Sequence, residues 1–66
     1  MIDIDRQNAP SQYEVVLGHQ RVLVTGWSRD EAIRNARRLL CARLPRLYDV
    51  IRTVDNSRFE VVAVAR

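Results

Sequence analysis

Hydrophobic residues change period along this chain, and the changes mark its elements. Gln12 to Leu17 (QYEVVL) and Arg21 to Thr25 (RVLVT) are short runs rich in β-branched and aromatic residues. Such residues suit a pleated surface, so each run predicts a strand. Gly18-His19-Gln20 stands between them. A glycine at the head of so short a loop takes positive φ without a Cβ clash, as a tight β-hairpin requires. The period then lengthens. Ile33, Ala36, Leu40 and Leu44 recur at spacings of three and four, with Ala32 and Leu39 on the flank of the stripe. Ahead of it, Ser28-Arg29-Asp30-Glu31 is a capping box, in which the Ser28 hydroxyl accepts from the Glu31 amide and Glu31 reaches back to the Ser28 amide. Trp27, just before the cap, is placed to staple onto the first turn. Pro45 disfavours helical geometry at Leu44, so the helix is expected from Ser28 to Leu44. Tyr48 to Val54 and Arg58 to Ala65 read as a second pair of strands, with Asp55-Asn56-Ser57 as their turn.

The expected fold is therefore α+β in the order ββαββ: two β-hairpins forming one antiparallel sheet, with a single amphipathic helix packed on one face. Residues 1–11 read as a flexible N-terminal tail and residues 12–66 as one small domain. One helix covers only one face of such a sheet, yet the strands carry consecutive apolar residues: Val15-Val16-Leu17, Val22-Leu23-Val24 and Val61-Val62-Ala63-Val64-Ala65. In either register some of these point away from the helix. Val16, Leu23, Val62 and Val64 are the candidate interface, a patch that soluble monomers seldom leave uncovered. Length sharpens the point, because a domain of about 60 residues buries only ~60% of its unfolded surface and gains much from a partner.

Composition excludes several chemistries and favours none strongly. Cys41 is the single cysteine, so no disulfide closes within the chain, and mid-helix it reads as a small buried hydrophobe. No apolar run reaches the ~20 residues of a membrane helix, so the expectation is a cytoplasmic protein without a membrane partner. His19 is the single histidine and sits in the hairpin loop. With Cys41 away from any helix N-terminus, no nucleophile–base pair is evident and no catalytic residues are expected. One Cys and one His cannot complete a tetrahedral zinc site, and the glycines, Gly18 and Gly26, form no phosphate loop. No metal and no cofactor are expected.

The net charge is +3, and all eleven basic side chains are arginines. Six arginines stand between Ser28 and Arg46 against Asp30 and Glu31, leaving the rest of the chain slightly acidic. Arg34, Arg37 and Arg38 share the helix face opposite the apolar stripe and form a candidate phosphate-contact face. Acids in the first turn and arginines further on are also what the helix dipole favours, so solubility alone accounts for much of this pattern. Arginine-only usage is equally the mark of a GC-rich genome.

The stretch Val24-Thr25-Gly26-Trp27-Ser28-Arg29-Asp30-Glu31-Ala32-Ile33, continuing through Asn35-Ala36, resembles the strand-to-helix junction of HicB-type antitoxins, small oligomeric proteins that bind a toxin. The Asp-Leu-Pro-Gly-type loop that precedes this junction in that family is missing, and Ser-x-x-Glu before Ala and Ile is generic to capped helices, so the resemblance assigns no family. The functional expectation is a non-enzymatic protein-interaction or regulatory module, acting as a homo-oligomer or bound to another protein. The alternative is a nucleic-acid-binding module using the arginine face.

Overall fold

The computed structural model describes residues 10–64, and the fold is α+β. The elements are β1 (Ser11–Leu17), β2 (Gln20–Gly26), α1 (Arg29–Arg43), a 3-10 turn (Pro45–Leu47), α2 (Tyr48–Thr53), a second 3-10 turn (Asn56–Arg58) and β3 (Glu60–Ala63). The strands form one antiparallel sheet in the order β2-β1-β3, with β1 in the centre. Of the expected tail, residues 1–9 lie outside the described residues.

The first hairpin is as expected. Leu17 pairs with Gln20 across the two-residue loop Gly18-His19, and Gly18 has φ +61. Positive φ at the first loop position and not at the second is the pattern of a type II′ turn, whose twist matches that of the strands.

Helix α1 also matches. Ser28 is its N-cap, and its hydroxyl accepts from the Glu31 amide at 3.2 Å. The reciprocal half of the box is shifted by one residue: the Glu31 carboxylate accepts from the Trp27 amide at 2.6 Å. Trp27 does not act as a staple and is 60% exposed. The position its indole would cover, Ala32, is already closed over by Gly26. A Cβ on Gly26 would stand 3.0 Å from the Ala32 nitrogen, so only glycine allows strand and helix to meet this closely. Ser28→Ala is expected to lower the stability by about 1 kcal/mol, read as a shift in the urea midpoint, whereas Ser28→Gly should cost only a few tenths.

The segment Tyr48 to Val54 corrects the expectation: it is not a strand but the short helix α2. Pro45 does not merely end α1. It opens the 3-10 turn that leads into α2, where its fixed φ is an asset and its missing N–H costs nothing. Leu44, Tyr48 and Ile51 then recur at helical spacing, and Ile51 enters the core while Leu47 and Val50 stay exposed. The Thr53 hydroxyl donates to the Asp49 carbonyl at 2.8 Å, which supplies a β-branched residue with a helical partner. The expected 55–57 turn is a capped 3-10 turn. Its Asp55 carboxylate accepts from the Ser57 hydroxyl and, at 3.0 Å, from the Ser57 amide. Those two bonds, aided by nearby Arg37 and Arg58, hold the Asp55 pKa below its ordinary value.

The second hairpin therefore does not exist. Of the last strand, expected over 58–65, residue 65 lies outside the described residues, and among the rest β3 spans Glu60–Ala63 and pairs with β1 rather than with residues 48–54. Three strands and two helices replace the expected ββαββ. The core lies between the sheet and α1, closed at one end by α2: Val15, Val22, Ala32, Ile33, Ala36, Leu40, Ile51 and Phe59 are all buried. The expected stripe residue Leu44 is only partly buried, because the helix ends there.

Candidate functional site

Strand register sorts the sheet into two faces, since residues directly opposite one another share a face and neighbours along a strand alternate. Tyr13, Val15 and Leu17, with Val22, Val24 and Val61, point towards α1 and are buried or packed against the core. The other face carries Arg21, Leu23 and Thr25 from β2, Gln12, Glu14 and Val16 from β1, and Glu60 and Val62 from β3. Val64 continues the β3 row, its N–H donating to the Gln12 carbonyl at 2.9 Å. The four candidate interface residues, Val16, Leu23, Val62 and Val64, thus share the face away from the helix.

They do not form an unbroken patch. Glu14 stands at the centre of the face, directly between Leu23 and Val62, and its carboxylate pairs with Arg21 at 3.3 Å. Leu23 and Val62 are 62% and 55% exposed, while Val16 and Val64 are partly covered. This is a chequered surface, apolar positions alternating with an ion pair.

The free edge of β2 is more distinctive. In a two-residue hairpin the residues flanking the loop, here Leu17 and Gln20, exchange hydrogen bonds. Alternate β2 residues, Arg21, Leu23 and Thr25, therefore turn their N–H and C=O groups outward, away from β1. The Thr25 carbonyl is already taken, accepting from Asn35 Nδ2 at 2.8 Å. Arg21 and Leu23 keep theirs exposed. This edge is seven residues long, paired with β1 without a bulge, contains no proline, and carries one charged side chain, Arg21. Beside it, between β2 and α1, runs an open groove of about 600 Å³ that includes Leu23, Val24, Leu39 and Ala42.

The arginine face is rearranged relative to expectation. Arg34 and Arg38 are exposed, but Arg37 turns into the protein. Its Nη1 donates to the carbonyls of Ile51 (2.7 Å), Arg52 (3.1 Å) and Val54 (2.8 Å), and its Nη2 to Asn56 Oδ1. The guanidinium also lies 5.0 Å from the Phe59 ring centroid. Arg37 thus caps the C-terminus of α2, where a cation and its donors meet the unsatisfied carbonyls. In its place α2 brings Arg52 and Tyr48 to the same side of α1. The Arg52 guanidinium sits 5.9 Å from the Tyr48 ring centroid. Sequence reading missed both residues, because a strand at 48–54 would not set them four apart on one helical face.

His19 lies in the exposed hairpin loop, and Cys41 is half-buried on α1 with its Sγ 3.8 Å from the Tyr48 carbonyl oxygen. Among the described residues, no group of three or more His, Cys, Asp or Glu side chains converges as a metal site would require. No described helix is long and apolar enough to cross a membrane. Comparison of the chain with models of known families, with curated proteins and with solved structures yields no match.

Proposed function

We propose that this chain is a non-enzymatic protein-interaction module that works as a homodimer, two copies joining β2 edge to β2 edge into one continuous sheet. The observation that carries the reading is the unpaired β2 edge, with the backbone groups of Arg21 and Leu23 outward and the Thr25 carbonyl withdrawn by Asn35. A two-fold antiparallel pairing with Val22 on the axis sets Arg21 of each copy opposite Leu23 of the other. That register uses both residues' free N–H and C=O groups and leaves Thr25 out. Leu23 then packs against the aliphatic stem of the opposing arginine, while each Arg21 stays neutralised by Glu14 of its own chain.

Face-to-face stacking of two sheets is the weaker arrangement. It would take the Glu14–Arg21 pair out of water, and desolvating an ion pair commonly costs more than its attraction returns. The edge pairing is modest in strength. Four backbone bonds at about 1 kcal/mol net each, with some apolar burial, must offset the entropy of association, so a weak, concentration-dependent dimer is expected.

Leu23→Lys tests the reading. The new ammonium lies across from Glu14, so the monomer keeps a favourable cross-strand pair, while the lysine protects the edge. Sedimentation should show the wild type as a monomer–dimer equilibrium and the variant as a folded monomer. Val22→Lys, on the helix-facing side, should instead unfold the chain at any concentration. A wild type that stays monomeric at millimolar concentration would overturn the homodimer.

A further inference from the structure

On the other side of the ridge formed by Arg38 and Ala42 lies a second groove, between α1 and α2, of about 470 Å³. Arg34, Arg38 and Cys41 of α1 and Tyr48 and Arg52 of α2 line it, with the occupied Arg37 at its base. We propose that this groove binds single-stranded nucleic acid, with Arg34, Arg38 and Arg52 on successive phosphates and a base against Tyr48.

Charge complementarity is the first argument. Three guanidiniums converge from two helices, and none of the helices' acids, Asp30, Glu31 or Asp49, lines the groove. Among the described residues none of the three arginines is within ion-pairing distance of a carboxylate. Guanidiniums fork to phosphate oxygens and tolerate partial dehydration, which suits a groove better than a hydrated ammonium would.

Shape and the aromatic choose between strands. A duplex presents its phosphates on a convex backbone, whereas a concave, charged groove with an aromatic wall is how single strands are held without strict sequence choice. Tyr48 is 47% exposed, and the Arg52 guanidinium lies over its ring at 5.9 Å from the centroid, so a base would stack on the other ring face or on the guanidinium plane. The fixed position of α2 matters here: Arg37, tied to two of its carbonyls and to that of its C-cap Val54, holds Tyr48 and Arg52 against α1. This site is separate from the β2 edge, apart from Arg38 and Ala42, which border both grooves.

The test uses fluorescence anisotropy of a short labelled oligothymidine, followed as salt is raised. Arg34→Gln/Arg52→Gln spares the residues shared with the dimer edge, and both positions are exposed, so the fold should persist. The double variant should bind at least tenfold more weakly, with a salt slope shallower by roughly 1.4, at ~0.7 per lost single-strand phosphate contact. Tyr48→Leu should weaken binding about tenfold with the slope unchanged, as loss of one stacked base predicts. Heparin retention is the control arm: the arginine variant should lose it and Tyr48→Leu should keep it. Absence of oligothymidine binding at low salt, equal affinity of wild type and double variant, or a Tyr48→Leu variant that binds oligothymidine as tightly as the wild type would overturn the proposal, the last leaving only a general polyanion surface.

Discussion

Phe59→Ala is expected to leave the domain largely unfolded at room temperature. Phe59 is the largest of the fully buried side chains and shares the core with Val15, Ile33 and Leu40. Its burial depends on the turn before it. The Phe59 amide donates to the Asn56 carbonyl at 3.1 Å, which closes the 3-10 turn and sends the ring inward just as β3 begins. Truncating a buried phenylalanine costs about 3–5 kcal/mol, lost transfer energy plus a cavity that the surroundings only partly fill. At ~0.05–0.15 kcal/mol per residue a domain of this size has a total stability of the same order, so little would remain. Phe59→Leu keeps most of the volume and should cost far less. Urea titration followed by circular dichroism separates the two. An alanine variant with the wild-type midpoint would mean that Phe59 does not fill this core and that the β1–β3 pairing is misplaced.

Arg37→Leu should be the most damaging substitution at a charged position, lowering stability by about 2 kcal/mol. The guanidinium makes charge-assisted bonds to three carbonyls at the end of α2 and to Asn56, and it covers the Phe59 ring. Bonds to a charged donor contribute about 1.5–3 kcal/mol each in favourable settings, but these share one half-buried group and do not add independently. Leucine preserves the packing stem and removes every donor, so the carbonyls of Ile51 and Val54 lose their partner. Arg37→Lys should recover only part of the loss, since one ammonium cannot fork to carbonyls and Asn56 together. Hydrogen exchange localises the effect. Amides of Tyr48–Thr53 should lose protection well before those of the β1–β2 hairpin, because a six-residue helix has no stability of its own. Equal protection in wild type and variant would show that α2 is held by Ile51 alone.

The same residue shows where sequence reading stops. Arg37 lies on the polar side of the α1 pattern beside Arg34 and Arg38, and nothing local separates the three. What distinguishes it is the arrival, fourteen to nineteen positions later, of a helix end with unsatisfied carbonyls. The candidate phosphate face changes accordingly: Arg34 and Arg38 remain on the surface, Arg37 serves the fold, and Arg52 and Tyr48 take their place along the groove.

Elements whose causes are local could be read from the chain alone. The II′ hairpin needs only a glycine able to take positive φ between two β-forming runs, and α1 needs only Ser28, Glu31 and an apolar stripe with a proline behind it. The sharing of one face by Val16, Leu23, Val62 and Val64 follows from the period of two within each strand, once the register is known. Tyr48 to Val54 was misread as a strand at that level. Its β-branched residues favour a strand by composition, while Pro45, Leu44, Tyr48 and Ile51 favour a helix by spacing, and the run is too short for either preference to prevail. Tertiary structure decided it, by offering a pocket for Ile51 and a guanidinium for the helix end. With that segment withdrawn from the sheet, β3 pairs with the free side of β1, and β2 and β3 become the two edges of a three-stranded sheet. The order of the strands, the exposed edge and the groove between the helices all descend from that one non-local choice.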